Sequence, residues 1–171
     1  NPSSMHVLGQ QAKEALDKAR AQVAALINAE AEEIIFTASG SESNNFALKG
    51  VAFANRKKGD HIIVSAIEHF SVLQAAKSLE KLGYQITQIP VDKDGLIDPD
   101  EVKKAITDKT ILISIHHANP EIGTIEPIEE IGKIAKEKGV LFHSDAIQTV
   151  GTIPVDVKKL NVDFLSVAAN A

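Results

Sequence analysis

Residues 139–148 read GVLFHSDAIQ, and this stretch decides the fold. The apolar run at 139–142 predicts a buried strand, and Asp145 and Gln148 follow where that strand ends. A carboxylate delivered into a pocket is costly unless a cation or a strong hydrogen-bond donor meets it. The stretch therefore predicts a functional pocket at the carboxyl end of a buried strand.

Strands and helices alternate along the rest of the chain. Predicted strands cover residues 33–37, 61–65, 85–91, 111–115 and 163–167, and predicted helices cover residues 10–28, 44–55, 71–82 and 128–138, with another helix starting at Asp98-Pro99. The strands are mostly continuous apolar runs, which is typical of a parallel sheet covered on both faces. We therefore predict an α/β fold, a mostly parallel sheet with helices on both faces, whose ligands bind beyond the carboxyl ends of the strands.

Composition excludes several classes of partner and site. The 171 residues carry a formal net charge of −5 and contain no cysteine. Disulfides and thiolate metal sites are therefore excluded within this sequence, and a reducing, cytoplasmic setting fits. Scattered Lys and Arg predict no nucleic-acid partner, and no apolar run approaches the ~20 residues of a membrane span. Because the chain begins at Asn1-Pro2 and stops directly after a predicted strand, we expect residues 1–171 to be one domain of a longer protein.

Two of the predicted strand ends have two interpretations each. The small residues around Gly40 and Ser41, at a helix start, suit an anion such as phosphate, or they form a plain capping turn with Ser41 or Ser43 as the cap. His69 could stack on a planar ligand and move protons, or it could cap the next helix.

A further strand end carries two adjacent histidines. His116, His117 and the nearby Glu121 suggest a metal, but neighbouring strand residues point to opposite faces, so we predict no metal site. An aspartate beside a phosphate cradle and a stacking histidine suits pyridoxal 5′-phosphate (PLP), whose pyridinium nitrogen an Asp keeps protonated.

Several segments together resemble the cysteine desulfurase branch of the class V aminotransferases. They are FTASGSESNNFALKG at 36–50, HSDAIQTVG at 143–151, NPSSMH at 1–6, Glu68-His69, and His117-Ala118-Asn119 with Glu121 to Thr124. The resemblance runs from end to end without gaps, and the joint match is specific although each motif alone is weak. It implies the PLP-transferase large domain (aspartate-aminotransferase-like), with the start of that domain and the C-terminal small domain outside this sequence.

The resemblance also implies roles for individual residues. Gly40 and Ser41 correspond to the phosphate loop, and His69 to the catalytic histidine that stacks on the pyridine ring. Asp145 corresponds to the partner of the pyridinium nitrogen and Gln148 to the donor to the ring's phenolic oxygen.

Four positions depart from the family pattern. By ungapped alignment, Ala171 stands where the cofactor-binding lysine is expected, Asn170 at a phosphate-binding histidine, Ala168 at a serine and Pro120 at an asparagine. Alanine has no amine to bind the cofactor covalently, although Asn170 could still donate to a phosphate. An engineered knockout, natural divergence and a failed register at the chain end all remain open, and the additional changes favour natural divergence.

The function implied is conversion of L-cysteine to L-alanine, with the sulfur passed on as a persulfide for iron–sulfur cluster assembly. It would be impaired by Ala171 and carried out by a homodimer that meets a cluster scaffold or another sulfur acceptor. The persulfide-forming cysteine and the substrate-binding arginine would lie beyond Ala171. Two alternatives are another class V enzyme, such as a selenocysteine lyase, and a catalytically silent scaffold that keeps the fold.

Overall fold

Five short strands form one parallel sheet in the computed structural model, which describes residues 1–169. The strands are β1 (His61–Ser65), β2 (Gln85–Ile89), β3 (Thr110–Ser114), β4 (Leu141–Asp145) and β5 (Phe164–Ser166), and the helices are α1 (Val7–Ile27), α2 (Gly40–Asn55), α3 (Phe70–Glu80), α4 (Pro99–Ala105), α5 (Ile128–Lys138) and α6 (Val157–Leu160). The order across the sheet is β2-β1-β3-β4-β5, and every neighbouring pair is parallel. The carboxyl ends of β1, β3, β4 and β5 therefore lie side by side at one edge.

Helices cover both faces of this sheet, which confirms the predicted α/β class. Strand β1 shows why its three central residues are all apolar: Ile62 and Val64 pack with α2 and α3, whereas Ile63 packs with α4 and α5 on the other side. Residues that alternate in direction along a strand are apolar at every position only when both faces are buried.

Most predicted helices and strands are confirmed within a few residues. Strand β1 and helix α5 have the predicted bounds, and Gly139 ends α5 in the left-handed conformation at φ 66°. Asp98 caps α4 by accepting from the Asp100 amide, with Pro99 in the first turn, as its sequence predicts. The one-turn helix α6, capped by Asp156, was not predicted because four residues are too few to show a helical period.

The predicted buried strand at 33–37 is wrong. A 3₁₀ turn at Ala31–Glu33 is followed by extended chain that pairs with no described strand, and Ile35 and Phe36 are 67% and 46% exposed. The segment packs against α1 instead. The guanidinium of Arg20 in α1 donates to the Ile34 carbonyl, and its central carbon lies 5.0 Å from the centre of the Phe36 ring. An apolar run predicts a strand only where a neighbouring strand supplies hydrogen bonds, and here none does.

Helix α2 begins four residues earlier than predicted, and its cap is Ser39 rather than Ser41 or Ser43. The Ser39 hydroxyl accepts from the Glu42 amide at 3.1 Å. The earlier start places Gly40 and Ser41 in the first turn, where a helix has no internal acceptor for its amide groups.

We expect Ser39→Ala to lower the free energy of unfolding by about 1 kcal/mol, because the Glu42 amide loses its acceptor. Ser41→Ala removes a neighbouring, exposed hydroxyl that does not cap the helix, and it should change stability by less than about 0.5 kcal/mol. Urea denaturation of both variants measures the difference. A larger loss for Ser41→Ala would contradict the assigned cap.

No helix within residues 1–169 combines the length and the apolar character needed to cross a membrane.

Candidate active site

Asp145 is the last residue of β4 and is only 7% exposed. Its two carboxylate oxygens have separate donors: Asn44 Nδ2 donates to Oδ2 at 2.7 Å and the Ile147 amide donates to Oδ1 at 3.0 Å. No Lys or Arg within the described chain forms an ion pair with it. A buried carboxylate held by two neutral donors keeps lone pairs for a cationic ligand.

A short series of hydrogen bonds joins this carboxylate to His69. The same Asn44 Nδ2 also donates to Ser71 Oγ at 2.8 Å, and Ser71 Oγ lies 2.7 Å from His69 Nδ1. The Ser71 amide donates to His69 Nδ1 as well, at 3.2 Å. Because Nδ1 accepts from a backbone amide, the neutral imidazole carries its hydrogen on Nε2.

His69 therefore caps α3, which confirms one of its two predicted interpretations. The imidazole remains exposed. Capping uses only Nδ1, so the second interpretation, contact with a ligand through the ring face or Nε2, remains a prediction.

The first turn of α2 lies against the segment that follows Asp145. A Cβ atom added at Gly40 would come within 2.2 Å of Ile147 Cδ1 and 3.7 Å of Ala168 Cβ. Only the end of the Ile147 side chain lies that near, so a larger residue at position 40 would require this side chain to move. The amides of Gly40 and Ser41 lie in the first turn of α2, where an anion is favoured.

One predicted cofactor ligand is not joined to this arrangement, and another lies outside the described residues. Gln148 lies in the turn after β4 with an exposed side chain, and it makes none of the described hydrogen bonds. Asn170, like Ala171, lies outside the described residues.

The adjacent histidines at the end of β3 have separate surroundings. His117 Nδ1 lies 3.0 Å from Thr149 Oγ1, and burial together with neighbouring His116 lowers the pKa of His117. His116 lies instead between Glu68 and Glu126. Within residues 1–169 no group of three or more His, Cys, Asp or Glu side chains has the geometry to hold a metal ion.

A polar link across three strands is not predictable from the local sequence. His143, in the middle of β4, is fully buried; its Nδ1 lies 2.8 Å from Ser114 Oγ on β3 and its Nε2 lies 2.9 Å from Ser166 Oγ on β5. Ser43 Oγ on α2 donates to the same Ser166 oxygen at 3.1 Å. Burial lowers the pKa of His143 to about 3, so the imidazole is neutral and pins β3, β4, β5 and α2 together.

Asn44 was also missed, although the sequence carried a signal for it. In α2 it precedes Leu48, Val51 and Ala52 by four, seven and eight positions, and all four residues are buried. A polar residue at the start of an apolar helix face marks a buried polar contact. Ser71 gave no such signal, because a serine in a first helical turn is ordinary.

A groove of about 770 Å³ adjoins the first turn of α2. It runs between the end of α1, the extended segment after the 3₁₀ turn, and β5, and its lining includes Gly40, Ser43 and Ala168 but neither Asp145 nor His69. The first turn of α2 therefore separates this groove from the carboxylate.

These residues fit PLP in the chemistry of their donors. Asp145 supplies an anion for a protonated ring nitrogen, and the first turn of α2 supplies amides for a phosphate. The buried Asn44 Oδ1 has no hydrogen-bond partner within the described chain, so polar capacity remains at this edge. The position expected to hold a covalent lysine is Ala171, which lies outside the described residues.

Comparison with known proteins gives one consistent family. The sequence pattern of the family described as aminotransferase class-V matches residues 1–170. The chain is 57% identical over 170 residues to the cysteine desulfurase IscS of Dictyoglomus turgidum, covering 99% of this chain and 43% of that protein. It is 54% identical to the cysteine desulfurase IscS of Methanosarcina thermophila, covering 99% of this chain and 42% of that protein.

Solved structures agree with the sequence relatives. A structure titled SspA in complex with cysteine superposes with a TM-score of 0.95 at 42% identity, covering 98% of this chain and 48% of that one. A NifS-like protein superposes with a TM-score of 0.95 at 40% identity, covering 99% and 47%. The chain thus spans less than half the length of these relatives, over which it shares their fold. It belongs to the aminotransferase class-V family, and within that family it is similar to the cysteine desulfurases.

Proposed function

We propose that this chain is the PLP-binding part of a cysteine desulfurase-like enzyme, which converts L-cysteine to L-alanine and transfers the sulfur as a persulfide. The observation that carries the proposal is the buried Asp145 carboxylate, held by Asn44 and the Ile147 amide beside the first turn of α2. Relatives named cysteine desulfurase, at 45–57% identity over almost the whole chain, support the choice of substrate. When bound, PLP supplies an electron sink for negative charge at the substrate Cα.

Asp145 and the first turn of α2 orient the cofactor in this proposal. The carboxylate pairs with the protonated ring nitrogen, and Asn44 and the Ile147 amide hold it in one orientation. The amides of Gly40 and Ser41 bind the phosphate, with Asn170 as a further donor. Gln148 donates to the phenolic oxygen.

His69 is the proposed catalytic residue. Ser71 fixes the imidazole through Nδ1, which leaves the Nε2 hydrogen directed away from the α3 backbone and available for exchange with the substrate thiol. The same Ser71 receives a hydrogen bond from Asn44, so the ring is tied to the group that holds Asp145.

A silent scaffold is the second candidate, and the altered positions favour it. Ala171 brings no amine, and Ala168, half-buried near Gly40, brings no hydroxyl for a phosphate. Turnover by this chain is therefore proposed to be impaired by orders of magnitude while cofactor binding persists. A selenocysteine lyase or another class V activity would use the same cofactor residues.

We further propose a cytoplasmic homodimer that hands sulfur to an iron–sulfur scaffold or another acceptor protein. Phe46 and Phe53 on one face of α2, and Phe70 at the start of α3, are 59%, 56% and 74% exposed. Large aromatic side chains exposed together are typical of protein interfaces. We propose that a second copy of the chain packs against these aromatic side chains in the dimer.

Restoring the lysine tests the proposal. We expect wild-type protein to bind PLP without the absorbance near 420 nm (roughly, for a lysine-bound cofactor) and to give no lysine adduct after borohydride reduction. Ala171→Lys should gain both the absorbance and a reducible adduct at position 171, located by peptide mass spectrometry. An adduct already present in wild type, or none in Ala171→Lys, would contradict the assigned register.

A further inference from the structure

Three ionisable side chains with almost no solvent exposure lie directly behind the candidate site. Glu68, His116 and Glu126 form this Glu–His–Glu cluster, with side chains 0%, 5% and 0% exposed. The imidazole lies between the carboxylates: Nδ1 is 3.8 Å from Glu68 Oε1 and Nε2 is 3.6 Å from Glu126 Oε1. Nothing in the proposed reaction uses any of the three.

Each carboxylate also holds backbone or side-chain groups of another segment. Glu68 Oε1 accepts from Ser65 Oγ at 2.6 Å and from the His116 amide at 2.8 Å. Glu126 Oε2 accepts from the Ile97 amide at 3.0 Å. The cluster therefore joins the turn after β1, the end of β3 and the segment that leads into α4.

Charge balance decides the state of the imidazole. Glu68 Oε2, His116 Nε2 and Glu126 Oε1 are buried and have no hydrogen-bond partner within the described chain. Two buried carboxylates beside a neutral ring would leave two uncompensated anions, which is strongly unfavourable. An imidazolium between them faces both carboxylates, lowers the net buried charge from −2 to −1, and gives Nε2 a proton to direct at Glu126.

We propose that His116 is a positioning residue: as an imidazolium held between Glu68 and Glu126, it fixes the turn that carries His69 against the segment that follows β3. Glu68 directly precedes His69 in the chain, so the position of the Glu68 carboxylate sets the course of that turn. A second link runs beside it, since Asn119 Nδ2 donates to the Ile67 carbonyl at 3.4 Å. The proposal deepens the proposed function, because it names the groups that hold the proposed catalytic histidine in place. It rests on that function only for the catalytic role of His69.

The charged surroundings agree with this state. Burial alone would lower the pKa of His116, but Glu126, Glu68 and the nearby Asp145 outweigh it and raise the pKa. Burial raises the pKa of Glu68 to about 7, against the opposing effect of His116. The stabilisation from a raised histidine pKa is complete below the ordinary value of 6.5 and is lost as the pH rises through the raised value.

The first test needs no variant. In ¹H–¹⁵N spectra of the imidazole rings of wild-type protein at about pH 7, His116 should show the shifts of a doubly protonated ring, because it lies between two buried carboxylates. A neutral His116 at this pH would overturn the proposal.

Paired glutamine variants test the positioning role. His116→Gln removes the cation, and His61→Gln is the control: His61 is equally buried, on β1 in the same sheet, with ring nitrogens 2.7 and 2.8 Å from Thr110 and Thr87 hydroxyls. We expect His116→Gln, but not His61→Gln, to shift the His69 ring resonances. The PLP dissociation constant of His116→Gln should rise about tenfold at about pH 8 and less at about pH 6, where the carboxyls take up protons.

A charge-balanced double variant guards against loss of folding. His116→Gln with Glu126→Gln leaves one buried carboxylate between two amides, so the His69 resonances should return towards wild type. Equal His69 spectra in His116→Gln and wild type, or equal shifts with His61→Gln, would overturn the inference. If wild-type protein binds no PLP, the proposed function fails, but the His69 spectra still decide the positioning role.

Discussion

Replacing Asp145 with Asn should weaken PLP binding about 10- to 100-fold, because a hydrogen bond to a charged group contributes roughly 1.5–3 kcal/mol. The amide occupies the same space but has one oxygen where the carboxylate has two, so it keeps either the Asn44 or the Ile147 amide contact and loses the other. It also loses the negative charge that keeps the ring nitrogen protonated. Fluorescence titration of PLP into both proteins measures the change.

Asp163→Asn is the matched control for this experiment. Asp163 also accepts a backbone amide, that of Phe142 at 2.8 Å, but it lies beyond the amino end of β5, away from the candidate site. Its variant should bind PLP as wild type does. Equal losses in the two variants would mean that a general structural effect, and not the pocket, explains the result. Thermal unfolding of both variants shows whether either is misfolded.

Replacing His143 with Gln should make the free energy of unfolding less sensitive to acid. Burial lowers the pKa of His143 in the folded protein to about 3. Between that pH and 6.5 the histidine is therefore protonated in the unfolded chain but neutral in the native state. Native stability therefore falls by about 1.4 kcal/mol per pH unit below 6.5, or about 2 kcal/mol by about pH 5. At neutral pH the variant should be less stable, because Ser114 and Ser166 lose a shared partner. This deficit relative to wild type should shrink by about 2 kcal/mol between pH 6.5 and about 5.

Phe142→Leu separates this titration from destabilisation in general. Phe142 is the adjacent β4 residue and is also fully buried, but it does not titrate. Its deficit relative to wild type should stay constant over the same pH range, as measured by urea denaturation. If the stability deficit of His143→Gln also stayed constant over this pH range, the imidazole of His143 would not be neutral in the native state as described.

Glu68 should oppose His143 in the wild-type profile. Its raised pKa of about 7 stabilises the native state most below 4.5, and this contribution is lost as the pH rises through 7. Falling pH therefore favours folding through Glu68 and disfavours it through His143 over the same interval. In His143→Gln the effect of His143 is removed, so the stability of that variant should fall less than that of wild type as the pH falls from 7 towards 5.

Local pattern was enough to predict most of the sheet and its helices. The strands β1, β3 and β4 are short apolar runs, and caps such as Asp98 and stops such as Gly139 depend on residues a few positions apart. The exception, residues 33–37, has the same apolar character as the true strands. It is not a strand because no strand within residues 1–169 lies beside it to pair with it.

The sequence by itself determined that polar residues follow buried parallel strands, and hence that Asp145 and His69 lie at the same edge of the sheet, where we propose the site. Only the tertiary structure decided how they are held. Asn44 and Asp145 are 101 positions apart, and the link from Ser114 through His143 to Ser166 exists only because the sheet order places β4 between β3 and β5. Glu68, His116 and Glu126 likewise meet only because β1 lies beside β3. Periodicity and capping are local properties of the chain, whereas the partner of a buried charge is set by which strands become neighbours.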